Sequence, residues 1–176
     1  IATDRSGKFL FSAQYGTGSV SMYRLDTDGR LVERTCMLTH EGASNVVPGR
    51  QKEPHAHWIG PDLANRFVTS PDLGLDAIVV YALDADEGQL RPHGKAKVAE
   101  GAGPRHMKYH PNGKWAYVVN ELDCTVTPLH YDADNGSFTT GKNVSTVPDD
   151  LDVDFNSCAE IRIHPQGKFL YASNRG

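Results

Sequence analysis

The sequence predicts an all-β fold, a β-propeller of which this chain forms about half a ring. Three observations predict it. First, the segment His110–Glu121 recurs without a gap as His164–Arg175: the His, Pro, Gly, Lys, Tyr and Asn of the motif are identical, and Trp115 is answered by Phe169. Fainter copies start at Asp4 and Pro61. The period is therefore about 50 residues, the length of a propeller blade. Second, every repeat is a series of short runs rich in β-branched and aromatic residues, bounded by Gly, Pro, Asn and Asp turns. Third, no stretch carries apolar residues at helical spacing. The repeats divide the chain into 1–54, 55–103, 104–157 and an incomplete 158–176. Closed rings have about four to eight blades, so residues 1–176 read as one partial domain and a piece of a longer chain.

In chain order, repeat one supplies strands at "FLFSAQY", "SVSMYRLD" and "RLVERTCML", with the turn "TDG" before the last. Repeat two gives "AHWIG", "RFVTSPD", "AIVVYALD" and, after the turn "ADEG", "QLRPHGKAKVA". Repeat three gives Arg105–His110, the turn "PNGK", "WAYVVNE", Thr125–Asp132, the turn "ADNG" and a fourth strand over "SFTTGKNVSTV". Repeat four contributes "EIRIHPQGKFLYASNRG" alone. Consecutive apolar residues, as in Ile78-Val79-Val80, fit sheets covered on both faces, the situation of a blade between neighbours. Two long loops remain. Thr39–Pro54 is polar, with Gly and Pro; Pro148–Ser157 carries Asp149, Asp150, Asp152 and Asp154. The acidic run reads as a solvated loop.

The composition excludes several function classes. The net charge is −4, from 18 basic and 22 acidic residues, with no Lys/Arg cluster. Nucleic acid is therefore not an expected partner, because phosphate contacts need a basic footprint. Nor is a membrane, since no apolar run approaches the ~20 residues of a spanning helix. The cysteines Cys36, Cys124 and Cys158 are odd in number and irregularly spaced. They suit free thiols in a reducing compartment, hence a cytoplasmic location, and contain no zinc-site spacing. No dinucleotide fingerprint or serine-nucleophile elbow occurs, so no cofactor is expected. Nothing in the sequence sets an oligomeric state.

Function concentrates on one rim. Consecutive antiparallel strands alternate direction, so the start of the first strand and the end of the second lie on the same face of every blade. The starts carry His55, His57, Arg105, His106 and Glu160; the ends carry Asp72, Asn120, Glu121, Asn174 and Arg175. The opposite face carries turn formers, and His110 and His164 belong to those turns. Glu121 and Arg175 hold equivalent positions in successive repeats. They form either an ion pair between blades or part of a site in which Arg105 and Arg175 hold an anion and Glu121 or His57 handles protons. His55 and His57, two apart, point to one side of an extended chain and would suit a metal, but no third ligand is evident. Strand alternation sends Arg105 and His106 to opposite faces.

The blocks "EPHAHW", "GAGPRHMKYHPNGKWAYVVNEL" and "EIRIHPQGKFLYASNRG" resemble the seven-bladed β-propeller lactonase family. That family includes propeller-type 6-phosphogluconolactonases and the carboxy-cis,cis-muconate cyclases. The resemblance covers essentially the whole chain and implies about half of a seven-bladed ring. It implies a catalytic set of His57, Arg105, Glu121 and Arg175; the rim places His55, His106, Asn120 and Asn174 beside them as substrate-binding neighbours, and no metal is expected. The substrate it implies is a small anionic lactone such as 6-phosphogluconolactone, in the pentose phosphate pathway of sugar metabolism. Cyclisation of a muconate and a non-catalytic binding propeller are the alternatives. An interface rim needs large apolar side chains, and only Trp58, Leu73 and Leu122 come close.

Overall fold

Each repeat folds into one antiparallel sheet, because short extended runs joined by tight turns pair most readily with their neighbours in sequence. The computed structural model describes residues 1–150 and 156–176. Blade one is β1 (Ala2–Thr3), β2 (Phe9–Gln14), β3 (Ser19–Leu25) and β4 (Leu31–Thr39). Blade two is β5 (Gly60–Pro61), β6 (Phe67–Asp72), β7 (Ala77–Asp84) and β8 (Gln89–Lys97). Blade three is β9 (Pro104–Tyr109), β10 (Trp115–Asn120), β11 (Thr125–Asp132), β12 (Ser137–Thr140) and β13 (Val144–Ser145). The fourth sheet is β14 (Ser157–Ile163) paired with β15 (Leu170–Arg175). Within each sheet the strands lie in chain order. Of the acidic run, Asp152 and Asp154 lie outside the described residues.

Two expected strands differ. The fourth strand of blade three is broken into β12 and β13, both paired with β11. Pro128 in β11 has no N–H to continue the ladder, and its carbonyl instead accepts the Gly141 N–H at 2.8 Å. The first strand of blade two is reduced to β5 plus a single bridge, Ala56 to Asp72.

The core lies between blades. Phe9, Phe11, Val20 and Met22 of blade one pack on Ile59, Val68, Val79 and Tyr81 of blade two. Ile78 faces the other way, into a cluster with Met107, Ala116, Val118 and Leu129 of blade three. Val119, Cys124 and Val126 meet Cys158 and Ile161 of the fourth sheet. Adjacent residues Ile78 and Val79 thus serve opposite neighbours, which is why the strand is apolar throughout.

Polar staples join the blades as well. His40, just past β4, places Nδ1 2.6 Å from Asp72 Oδ2 and Nε2 2.6 Å from Tyr81 Oη, all three buried. On the turn face one position repeats in all four blades. Asp4 and Asp62 accept backbone N–H groups of their turns, from Ser6 and from Arg66. His110 and His164 do the same through Nδ1, from Asn112 and Gln166. These histidines are turn acceptors, and His110 Nε2 also lies 3.0 Å from the Gly167 carbonyl of the next blade.

Candidate functional site

The rim is built from a backbone irregularity that the inner strands of blades two, three and four repeat. In blade three, Asn120 pairs with Pro104 and Val119 with His106, so Arg105 is an extra, bulged residue. Between Cys158 and Ile161 the fourth sheet shifts in the same way. Blade two has four steps from Ala56 to Gly60 against three from Asp72 to Thr69. A bulge turns its side chain off the pleat. Arg105 and His106 consequently share the rim, with Arg105 Nη1 3.4 Å from His106 Nε2, rather than facing opposite ways as unbroken alternation requires.

Glu121 is the centre of the site and only 6% exposed. Arg50 Nη2 lies 2.5 Å from its Oε1; Arg105 Nε and Arg175 Nη2 lie 2.8 Å and 3.0 Å from its Oε2. Burial alone would raise its pKa. Hydrogen bonds from Arg50 and Arg105 and the charges of Arg175 and Arg50 outweigh that and hold the carboxyl below its ordinary value. His57 Nε2 stands 3.9 Å from the same Oε2. Burial first, then the charges of Arg105 and His106, push the His57 pKa down to about 4 against the opposing pull of Glu121. The site at neutral pH is thus one ionised carboxylate, three guanidiniums and a neutral imidazole.

The remaining side chains form a ring around this centre. His57 and His106 meet edge to face at 5.2 Å. His106 is drawn toward Glu160, 3.2 Å from its Nδ1, although burial keeps its pKa lowered. His55 stacks on Tyr15 at 4.3 Å, and His57 meets the edge of the same ring at 5.3 Å. Arg105 also donates to the Ala159 carbonyl, and Arg175 to that of Cys158, at 3.2 Å.

His57, Arg105, Glu121 and Arg175 therefore converge, with His55 and His106 beside them. Asn120 does not reach the open rim. It is fully buried, and its Nδ2 donates to Thr125 and Thr127 Oγ1, both at 2.8 Å. Asn174 is exposed but likewise engaged, with Nδ2 donating to the Thr146 carbonyl at 3.0 Å. Asp72 is committed to the scaffold, its Oδ1 accepting the N–H groups of His55, Gly74 and Leu75. Among the described residues no group of three or more His, Cys, Asp or Glu side chains is arranged to hold a metal.

Two residues of the site escape the sequence reading. Tyr15 follows the last residue of β2 as Glu121 follows β10, so aligning strand ends would have found it. Tyr15, Leu73 and Glu121 occupy this position in blades one to three. Arg175, aligned with Glu121 by the 54-residue repeat, occupies it in the fourth. Arg50 sits in the Thr39–Pro54 loop, which has no period, and no spacing signals it.

The profile of the family described as "Lactonase, 7-bladed beta-propeller" matches residues 1–176. The chain is 34% identical over 176 residues to a 6-phosphogluconolactonase of Bacillus subtilis, covering 100% of this chain and 49% of that protein. It is 40% identical over 177 residues to a 6-phosphogluconolactonase of an Enterobacter species, covering 99% and 49%. A solved periplasmic gluconolactonase of Pseudomonas aeruginosa superposes with a TM-score of 0.89 at 26% identity, covering 99% of this chain and 49% of that one. The chain thus spans about half the length of the relatives it matches. Its bladed sheets, its polar rim and these matches together establish that it belongs to the seven-bladed β-propeller lactonase family.

Proposed function

We propose that the complete ring hydrolyses an anionic sugar lactone, with 6-phosphogluconolactone as the substrate, and does so without a metal ion. The observation that carries this reading is the pairing of a neutral His57 with a Glu121 kept ionised by three arginines. Arg50, Arg105 and Arg175 supply fork-shaped donors for a phosphate or carboxylate and for the oxyanion that forms when water adds to the lactone carbonyl. His57 takes the proton from that water as the new C–O bond forms. It returns the proton to the ring oxygen as the old C–O bond breaks. Glu121, 3.9 Å away, stabilises the transient imidazolium. A bound anion offsets the Arg105 charge that depresses His57, so the imidazole becomes more basic when substrate is present. The unpaired thiols Cys36, Cys124 and Cys158 support a reducing, cytoplasmic setting.

The test is hydrolysis of freshly generated 6-phosphoglucono-δ-lactone by the full-length protein, corrected for spontaneous opening. Arg105→Ala and a chelator form the parallel arms. Catalysis that survives chelation and collapses in the variant supports the reading. A rate equal to spontaneous opening would remove it.

A further inference from the structure

The Arg50 loop and the turn before Arg105 converge on a second carboxylate that the chemistry above does not use. Asp76 is 2% exposed. Its backbone is left-handed, with φ 48°, a conformation aspartate tolerates better than most residues. Oδ1 accepts from Gln51 Nε2 at 2.7 Å and from the Gly103 N–H at 2.8 Å; Oδ2 accepts from the Gly101 N–H at 2.8 Å. Gln51 is fully buried and adjoins Arg50. Its amide also donates to the Leu73 carbonyl at 2.8 Å and accepts the Val47 N–H at 3.0 Å, fastening the loop from both sides. Gly103 lies two residues before Arg105, and its carbonyl accepts the Glu121 N–H at 2.8 Å.

We propose that Asp76 is a positioning residue that sets the approach of Arg50 and Arg105 to Glu121, with Gln51 as its branch to Arg50. Three donors from two chain segments meet on its two oxygens. A carboxylate serves this because an ionised acceptor makes stronger hydrogen bonds than a neutral one, and an amide in its place offers a single acceptor oxygen. The turnover half of the test rests on the lactonase reading above; the other half does not.

The experiment compares Asp76→Ala, Asp76→Asn and Gln51→Ala with the wild type in the full-length protein, by NMR titration of His57 and by lactone turnover. His57 faces Arg105, His106, Glu121 and the ring of Tyr15, so its titration reports whether Arg105 has moved. In Asp76→Ala, and less so in Asp76→Asn, the His57 midpoint is expected to rise by about one pH unit or more as the Arg105 charge withdraws. Turnover is expected to fall on the order of 100-fold, the scale of a misplaced catalytic group. Gln51→Ala should leave the His57 midpoint in place, raise KM, and add nothing further in an Arg50→Ala background. A carboxylate that only supports the fold lowers the melting temperature and leaves the His57 midpoint at its wild-type value. That result, or Gln51 and Arg50 effects that multiply independently, would overturn the proposal. Should Asp76→Ala fail to fold, Asp76→Asn carries the same reading. A wild type without lactone turnover would remove the lactonase reading alone, because the His57 titration needs no substrate.

Discussion

Glu121 and Arg175 hold the same position in successive repeats, and their side chains meet with Arg175 Nη2 3.0 Å from Glu121 Oε2. The pair is both a tie between blades and part of the candidate site, because Arg50 and Arg105 share the same carboxylate. Glu121→Gln separates those roles. The amide keeps the shape and removes the charge that supports the His57 imidazolium, so turnover is expected to fall about 100-fold or more. Affinity for inorganic phosphate, measured by calorimetry, is expected to rise, since three guanidiniums lose their counter-ion.

The pH dependence of stability follows from His57. Its folded pKa of about 4 lies below the ordinary 6.5, so between these values the unfolded chain binds the extra proton. Stability therefore falls as pH drops from about 6.5 to about 4 and levels below. Glu121, whose pKa is lowered from 4.5, acts in a separate window. Its contribution is present above 4.5 and is lost as pH falls through its lower folded value. Urea denaturation across pH 7 to 3 checks both: His57→Asn should flatten the upper slope and leave the acid limb.

Gly103 has φ +65°, and a Cβ there would lie 2.5 Å from Leu122 Cγ. Gly103→Ala combines a left-handed backbone with an overlap against the Leu122 side chain. It is expected to destabilise the protein by about 1–3 kcal/mol and to lower turnover more than Gly113→Ala. Gly113 has a similar φ of +70° on the opposite face, but a Cβ there meets nothing closer than 3.7 Å. Equal turnover in the two variants would contradict a link from Gly103 to Arg105.

His40→Ala removes the partner of Asp72 Oδ2 and of the Tyr81 hydroxyl, both in buried residues. Leaving two buried polar atoms without a partner costs about 2–4 kcal/mol in all, whereas Tyr81→Phe deletes one hydrogen bond and should cost about 1 kcal/mol. Chemical denaturation of the two variants reads the difference. A smaller loss in His40→Ala would mean that the blade one to blade two junction rests on its apolar cluster alone.

Much of this was legible in the sequence for a physical reason. Strands carry period-two and apolar-run signals, and turns need Gly, Asp or His at fixed places, so β10 and β11 fall where their residues put them. The convergence of His57, Arg105, Glu121 and Arg175 follows from strand direction alone. What the sequence hid depends on three-dimensional exceptions. The bulge at Arg105 breaks alternation and brings His106 to the same rim. Pro128 interrupts a ladder and splits the outer strand of blade three. Asn120 is polar, yet its hydrogen bonds close on Thr125 and Thr127 behind the rim. Arg50 reaches Glu121 from an aperiodic loop fastened by Gln51, and only a folded chain reveals that fastening.

The position shared by Tyr15, Leu73, Glu121 and Arg175 has one more consequence. In blades two and three the neighbouring contact at that point is made by main-chain atoms, Leu73 N to His55 O and Glu121 N to Gly103 O. The main-chain contact in those two blades is therefore independent of which side chain stands there, and the position acts as a variable address along the ring. An aromatic ring, an aliphatic chain, an acid and a base already occupy the four addresses. A propeller of this kind can change its ligand by exchanging letters at those addresses, one blade at a time, while every sheet keeps its register.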